Sequence, residues 1–246
     1  MNPTLETIPD ANGLAIRAAQ VFSESCLKAI AKKNSFTVAL SGGSTPRQLY
    51  ELLASETGEF REQILWKQCH FFWTDERPVP PDHPDSNYRM TWDAMLRHVE
   101  VSETNIHRIR GEKLPEEAAG DYEKELQTFF KLKDDERPAF DLILLGLGED
   151  GHTASIFPGT EVLNESRRLA GAPWVPKLKS HRITLTLPVL NNAALALFLV
   201  SGESKATILR EVLEGRTDTF PAQAIQPTSG ELLWLADNAA AGKLRP

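Results

Sequence analysis

Along the chain, short apolar runs alternate with longer stretches in which apolar residues recur every three or four positions. The first long stretch, ANGLAIRAAQVFSESCLKAIAKK at 11–33, puts Ala15, Ala18, Ala19, Phe22, Cys26, Ala29 and Ile30 on one helical face. FTVAL at 36–40 follows, a run rich in strand formers that suits a strand buried on both faces, as in parallel sheets. Runs of the same kind are HFFWT (70–74), FDLILLGL (140–147), ALALFLV (194–200) and ELLWLA (231–236), while RITLTL (182–187) alternates and reads as a further strand. Helical patterns lie between them: TPRQLYELLAS after the first strand, SNYRMTWDAMLRHV after the second, EEAAGDYEKELQTFFKL before the third, and SKATILREVLE after the run at 194–200. This alternation predicts an α/β fold with a largely parallel sheet flanked by helices. No repeat, low-complexity tract or linker divides the chain, so residues 1–246 are expected to form a single domain.

Composition narrows the class. Hydrophobic residues make up 41% and charged residues 25%, as in ordinary soluble globular proteins. No apolar run approaches the roughly 20 residues that a membrane helix needs. The start, MNPTLETIPD, has no basic segment followed by an apolar stretch, so no secretory leader is expected. Cys26 and Cys69 have neither CxxC spacing nor paired histidines at zinc-finger distances; they read as buried, reduced thiols in a cytoplasmic setting. The net charge of −7 argues against a general nucleic-acid binder. It leaves room for a small anionic substrate, because a few placed cations can make a positive pocket in an acidic protein.

In such folds ligands bind at the carboxyl ends of the strands. SGGSTP (41–46) follows the first run: Gly42 and Gly43 expose backbone N–H groups, Ser44 or Thr45 can cap the next helix, and the helix N-terminus suits phosphate. It ends without the GK[ST] of a Walker loop and is not GxGxxG. Asp75, Glu76 and Arg77 close the second run and open a long, proline-rich loop. LGLGEDGHTASIFP (145–158) brings His152 off the sheet two residues after Asp150; a histidine can act as a general base near neutral pH, and a carboxylate beside it can fix its tautomer. SGESKA (201–206) sets Lys205 in the first turn of a helix, where a bound anion would offset its clash with the helix dipole. Arg182 begins a strand and could point into the same site. His70, His83, His107 and His181 lack this context and read as structural or surface residues; no HExxH spacing supports a metal site.

Read together and in order, SGGSTP, TDER with SNY, LGLGEDGHTASIFP and SGESKA, with RITLTLPVLNNA and the C-terminal GELLWLAD, resemble the 6-phosphogluconolactonase family over nearly the whole chain. The resemblance implies a Rossmann-like α/β domain similar to glucosamine-6-phosphate deaminase. It implies hydrolysis of 6-phospho-D-glucono-1,5-lactone with no metal or organic cofactor. It matches His152 to the base, Asp150 to its neighbouring acid and Arg77 to the arginine of the DER motif. Gly42, Gly43, Ser44, Asp75, Arg182 and Lys205 are placed with the substrate- and phosphate-contacting positions. Two rivals are weighed. A deaminase-like isomerase would use Asp75 as its base, but such enzymes resemble GHIAFNEP at 151–158, and Phe157 stands at the glutamate's place. A non-catalytic sugar-phosphate sensor would be expected to carry a DNA-binding segment, and none is visible.

Overall fold

The computed structural model describes residues 3–215 and 219–245. Met1 and Asn2, part of the stretch read for a leader, lie outside them. Strand β1 (Thr4–Ile8) leads through helix α1 (Ala11–Lys33) to strand β2 (Phe36–Leu40). Helices α2 (Ser44–Leu53) and α3 (Glu59–Gln63) precede β3 (Cys69–Trp73), and the short β4 (Asp75–Glu76) follows it closely. Helices α4 (Asn87–Ala94) and α5 (Pro115–Phe130) lead to β5 (Leu142–Gly146). Then come the two-residue strands β6 (Ala170–Gly171), β7 (Trp174–Val175) and β8 (Ser180–His181), and β9 (Ile183–Leu185). Helix α6 (Leu187–Leu190), β10 (Leu195–Val200), α7 (Ala206–Glu214), β11 (Glu231–Asp237) and α8 (Asn238–Ala241) complete the described chain.

Six strands form one parallel sheet in the order β1-β11-β10-β5-β2-β3. Every residue of β2 is buried, as its unbroken run requires of a strand covered on both faces. The helices that cover it show the expected stripes: α1 buries Leu14, Ala18, Phe22 and Cys26. Asp10 caps α1 by accepting from the Gly13 N–H at 2.8 Å, and Asn34 ends it in the left-handed region. On either side of β2 the chain runs in opposite directions across the sheet, to β3 one way and to β5 and β10 the other. The crevice at this switch point opens between the loops that follow β2 and β5.

The sequence pattern misses β1, whose mostly exposed edge position shows only weak alternation; it pairs with β11 from Thr4 opposite Leu233 to Ile8 opposite Asp237. RITLTL is a strand only over Ile183–Leu185, and it lies outside the parallel sheet, between β4 and β6 in a three-stranded antiparallel sheet. The two sheets meet at Thr74. Its N–H donates to Leu40 O of β2 at 2.8 Å, while its carbonyl accepts from Leu185 N of β9 at 2.8 Å. The helix expected over 86–99 stops at Ala94, because Met95 leaves the helical region (φ −142°, ψ −61°) and a 3-10 turn over Leu96–His98 takes over. Cys26 and Cys69 are buried and form no disulfide, but their sulfurs meet in a 3.6 Å hydrogen bond that no spacing in the sequence announces. Among the described residues no helix is long and apolar enough to cross a membrane.

The loop after β10 is tied down from the neighbouring strand. Asp237, at the end of β11 and 3% exposed, caps α8 through Ala240 N at 2.7 Å and accepts from Gly202 N at 3.0 Å and from the Ser201 hydroxyl. Asp237→Ala strands these buried donors and should cost about 2–4 kcal/mol in urea unfolding, a cap loss plus unmet donors. A cost below about 0.5 kcal/mol would mean that this loop is anchored elsewhere.

Candidate active site

The loops that follow β2, β3, β5 and β10 enclose a cavity of about 520 Å³. Gly42, Gly43, Ser44, Asp75, Arg77, Asp150, His152, Arg182 and Lys205 all line it, whereas Glu76 does not.

The loop after β2 differs from expectation in one respect. Neither Ser44 nor Thr45 caps α2; the cap position is Gly43, at φ +112°, with no side-chain bond to the helix. A residue with a side chain would be strained at that φ, and the result is a helix whose first N–H groups stay open beside the cavity. Gly42 is required for a different reason: an added Cβ would fall 1.9 Å from Asn87 Oδ1. Asn87 thereby packs on the loop while its amide donates to the Asp75 carbonyl at 2.9 Å. The Ser41 hydroxyl, buried in the cavity wall, has no partner among the described residues.

Of the acidic pair after β3, Glu76 builds and Asp75 faces the cavity. Glu76 is 2% exposed and accepts from the N–H groups of Arg77, Asn87 and Tyr88 and from the Ser86 hydroxyl, which fixes the start of α4. Burial pushes its carboxyl above the usual range, and the backbone donors oppose that shift. Asp75 accepts from Ser155 Oγ at 2.6 Å and from Asn87 Nδ2 at 3.3 Å.

The cations converge. The Arg77 guanidinium donates to the Asp85 carbonyl, and that of Arg182 to the His181 carbonyl at 2.8 Å. Burial and then the charge of nearby Arg77 pull Arg182 below its ordinary value, while Asp75, Asp85 and Glu76 oppose the shift. Lys205 sits in the 3-10 turn that opens α7 and makes no ion pair among the described residues. Among those residues, no group of three or more His, Cys, Asp or Glu is arranged to hold a metal ion.

His152 is held on three sides. Its Nδ1 bonds Asp150 Oδ1, its ring stacks on Phe157 at 4.0 Å between centroids with 22° between planes, and its carbonyl accepts from Gly148 N at 2.8 Å. Burial alone would raise the Asp150 carboxyl; hydrogen bonds from His152 and Lys177 outweigh it and bring that carboxyl down to about 2. Asp150 is therefore an acceptor only, so Nδ1 is the donor in this bond. Nε2 has no partner among the described residues. His70 and His107 lie elsewhere, their rings 5.5 Å apart against Phe129, and burial holds both below the ordinary histidine value. The sequence reading passed over Asn87, Ser155 and Lys177 as site residues. Asn87 and Ser155 sit inside quoted motifs as unremarkable polar residues, and Lys177 reaches the cavity from a hairpin with no motif signal.

A family model described as glucosamine-6-phosphate isomerases/6-phosphogluconolactonase matches residues 9–234. The chain belongs to that family. It is 44% identical over 249 residues to a protein of Synechocystis sp. named 6-phosphogluconolactonase, covering 100% of both chains. The solved structure of 6-phosphogluconolactonase from Trypanosoma cruzi matches with a TM-score of 0.87 at 28% identity, over 100% of this chain and 99% of that one. A monomeric glucosamine-6-phosphate deaminase shares the fold, with a TM-score of 0.81 at 21% identity over 98% of this chain and 99% of that one. The expected α/β class, with a parallel sheet flanked by helices, is thus the fold of this family member.

The tightest constraint on the histidine is Gly148. A Cβ there would lie 2.0 Å from His152 Nδ1. Gly148→Ala should keep the fold, because the ring can swing away, but it should break the bond to Asp150. We expect lactone hydrolysis to drop by about 10²-fold or more, the scale of a misplaced general base. Retention of full activity in a coupled assay would show that the ring position is not critical.

Proposed function

We infer that this family member hydrolyses 6-phospho-D-glucono-1,5-lactone to 6-phospho-D-gluconate, the second step of the oxidative pentose phosphate pathway. The observation behind the mechanism is the free Nε2 of His152 in a cavity that also holds Arg77, Arg182 and Lys205. In this reading water attacks C1 while Nε2 takes its proton, and the carbonyl electrons move onto the oxygen. Arg77 or loop N–H groups stabilise that oxyanion. When the intermediate collapses, the C1–ring oxygen bond breaks and the imidazolium returns its proton to the departing ring oxygen. Asp150 keeps Nδ1 protonated throughout. The phosphate, remote from C1, is held by Lys205, Arg182 and the Gly42–Gly43–Ser44 loop, and its binding energy positions the carbonyl. Asp75 accepts from a sugar hydroxyl.

A deaminase-like isomerase is disfavoured by the same geometry. Phe157 covers a face of the His152 ring, so no carboxylate occupies that position to relay a proton. The reading needs no cofactor, nucleic acid or membrane. It suits a single-domain cytoplasmic enzyme, as the charge and the cysteine usage also do.

The test uses freshly generated lactone, a coupled dehydrogenase readout and subtraction of spontaneous opening. Wild-type turnover should stand far above background, and His152→Ala should lose about 10²–10⁴-fold in kcat while still binding 6-phosphogluconate. Wild-type turnover that survives His152→Ala would keep the activity and discard the base. Background rates in both, with sugar phosphate still bound, would point to a sensor. Lys205→Ala should act differently, raising KM by about tenfold or more with a smaller change in kcat, as loss of a phosphate contact does. An unchanged KM would remove Lys205 from the phosphate site.

A further inference from the structure

Lys177 is a charged cavity residue that neither the motifs nor the proposed mechanism uses. It sits in the 3-10 turn Pro176–Leu178 that tips the β7–β8 hairpin. Its Nζ lies 3.0 Å from Asp150 Oδ2, while Asp150 Oδ1 bonds His152 Nδ1. One carboxylate thus bridges the Lys177 ammonium and the His152 ring. The arrangement is built rather than incidental. Pairing of Trp174 with His181 and Val175 with Ser180 fixes the hairpin, His181 Nδ1 lies 2.9 Å from the Ala172 carbonyl, and Arg182 N donates to the Pro173 carbonyl at 3.0 Å.

Resting on the lactonase reading, we propose that Lys177 is a positioning residue that acts through Asp150 to keep His152 in its neutral, proton-accepting form. An unopposed carboxylate beside Nδ1 would favour imidazolium, which cannot accept a proton from water. A lysine on the other oxygen takes up part of that negative charge and itself repels a second cation on the ring. The remaining charges around the cavity are Glu149 on the same loop, Asp75 and Arg77 from β4 and the loop after it, Arg182 at the start of β9 and Lys205 before α7. Of the lysines and arginines that line the cavity, Lys177 alone among the described residues is bonded to the carboxylate that holds His152. The Lys177 side chain is 68% exposed, so solvent weakens its influence, and the effect is a shift in pH dependence rather than a loss of fold.

The experiment is a pH profile of kcat/KM for wild type, Lys177→Met, Lys177→Glu and Lys177→Arg, with spontaneous opening subtracted. In parallel, the His152 ring is titrated by NMR and assigned against His152→Gln. The acid limb and the ring titration should both move to higher pH by about half a unit in Lys177→Met, the size of one partly screened charge a few ångströms away. They should move further in Lys177→Glu and stay in place in Lys177→Arg. A rise in KM with an unmoved limb would overturn the proposal and make Lys177 a substrate contact. An unmoved limb with unchanged KM would also overturn it, leaving a solvated surface pair. An equal shift in Lys177→Arg would overturn it by showing that packing, not charge, is responsible. The ring titration reads the coupling without turnover, so an inactive wild type would sink the lactonase reading while this coupling is still scored.

Discussion

Burial of the central sheet on both faces is the constraint that orders everything else. Strands such as β2 and β10 are covered by helices on each side and are apolar nearly throughout. Polar chemistry has no place along them. It collects where the strands end, and since all six run parallel, the ends that face the switch point are all carboxyl ends. The loops there must turn from an apolar strand into a helix or a second sheet within a few residues. Glycine appears where such a turn brings backbone against a neighbour, as Gly42 meets Asn87 and Gly148 meets the His152 ring.

Thr74 gives the cavity its second half. One peptide of this buried residue belongs to the parallel sheet and the next to the antiparallel one, so the chain changes sheets without leaving a buried polar group unmet. That step delivers Asp75 and Arg77 to the crevice, and pairing of β4 with β9 brings Arg182 beside them. His152 comes from the loop after β5, Asp75 from β4, Arg77 from the loop after it, Arg182 from just before β9 and Lys205 from the turn before α7. They meet because two sheets share one residue.

Much of this was readable in advance. The continuous apolar runs gave the interior strands, since no other element so short is apolar on every side. The turn chemistry after them marked the loops that line the cavity, and the order of those loops pointed to the family. What was not readable has common physical causes. β1 is an edge strand with little burial, so it carries little pattern. The strands β6, β7 and β8 are two residues long, too short for any period to show. RITLTL alternates as a half-covered strand should, but alternation does not say which sheet it joins. Residue type favours Ser44 or Thr45 as the cap, but backbone geometry overrides it, because Gly43 takes the cap position at positive φ. Lys177 and Asn87 owe their roles to contacts across long sequence separations, 27 residues to Asp150 and 12 to Asp75, and local reading is blind to these.

The β7–β8 hairpin holds two of the cavity's cations on one short piece of chain, Lys177 at its tip and Arg182 immediately after its second strand. The two cations therefore share one support. A ligand that draws Arg182 toward an anion pulls on the same hairpin that seats Lys177 against Asp150. Thermodynamic linkage makes such a connection reciprocal: whatever anion binding does to the protonation of the His152 ring, protonation of the ring must do equally to anion binding.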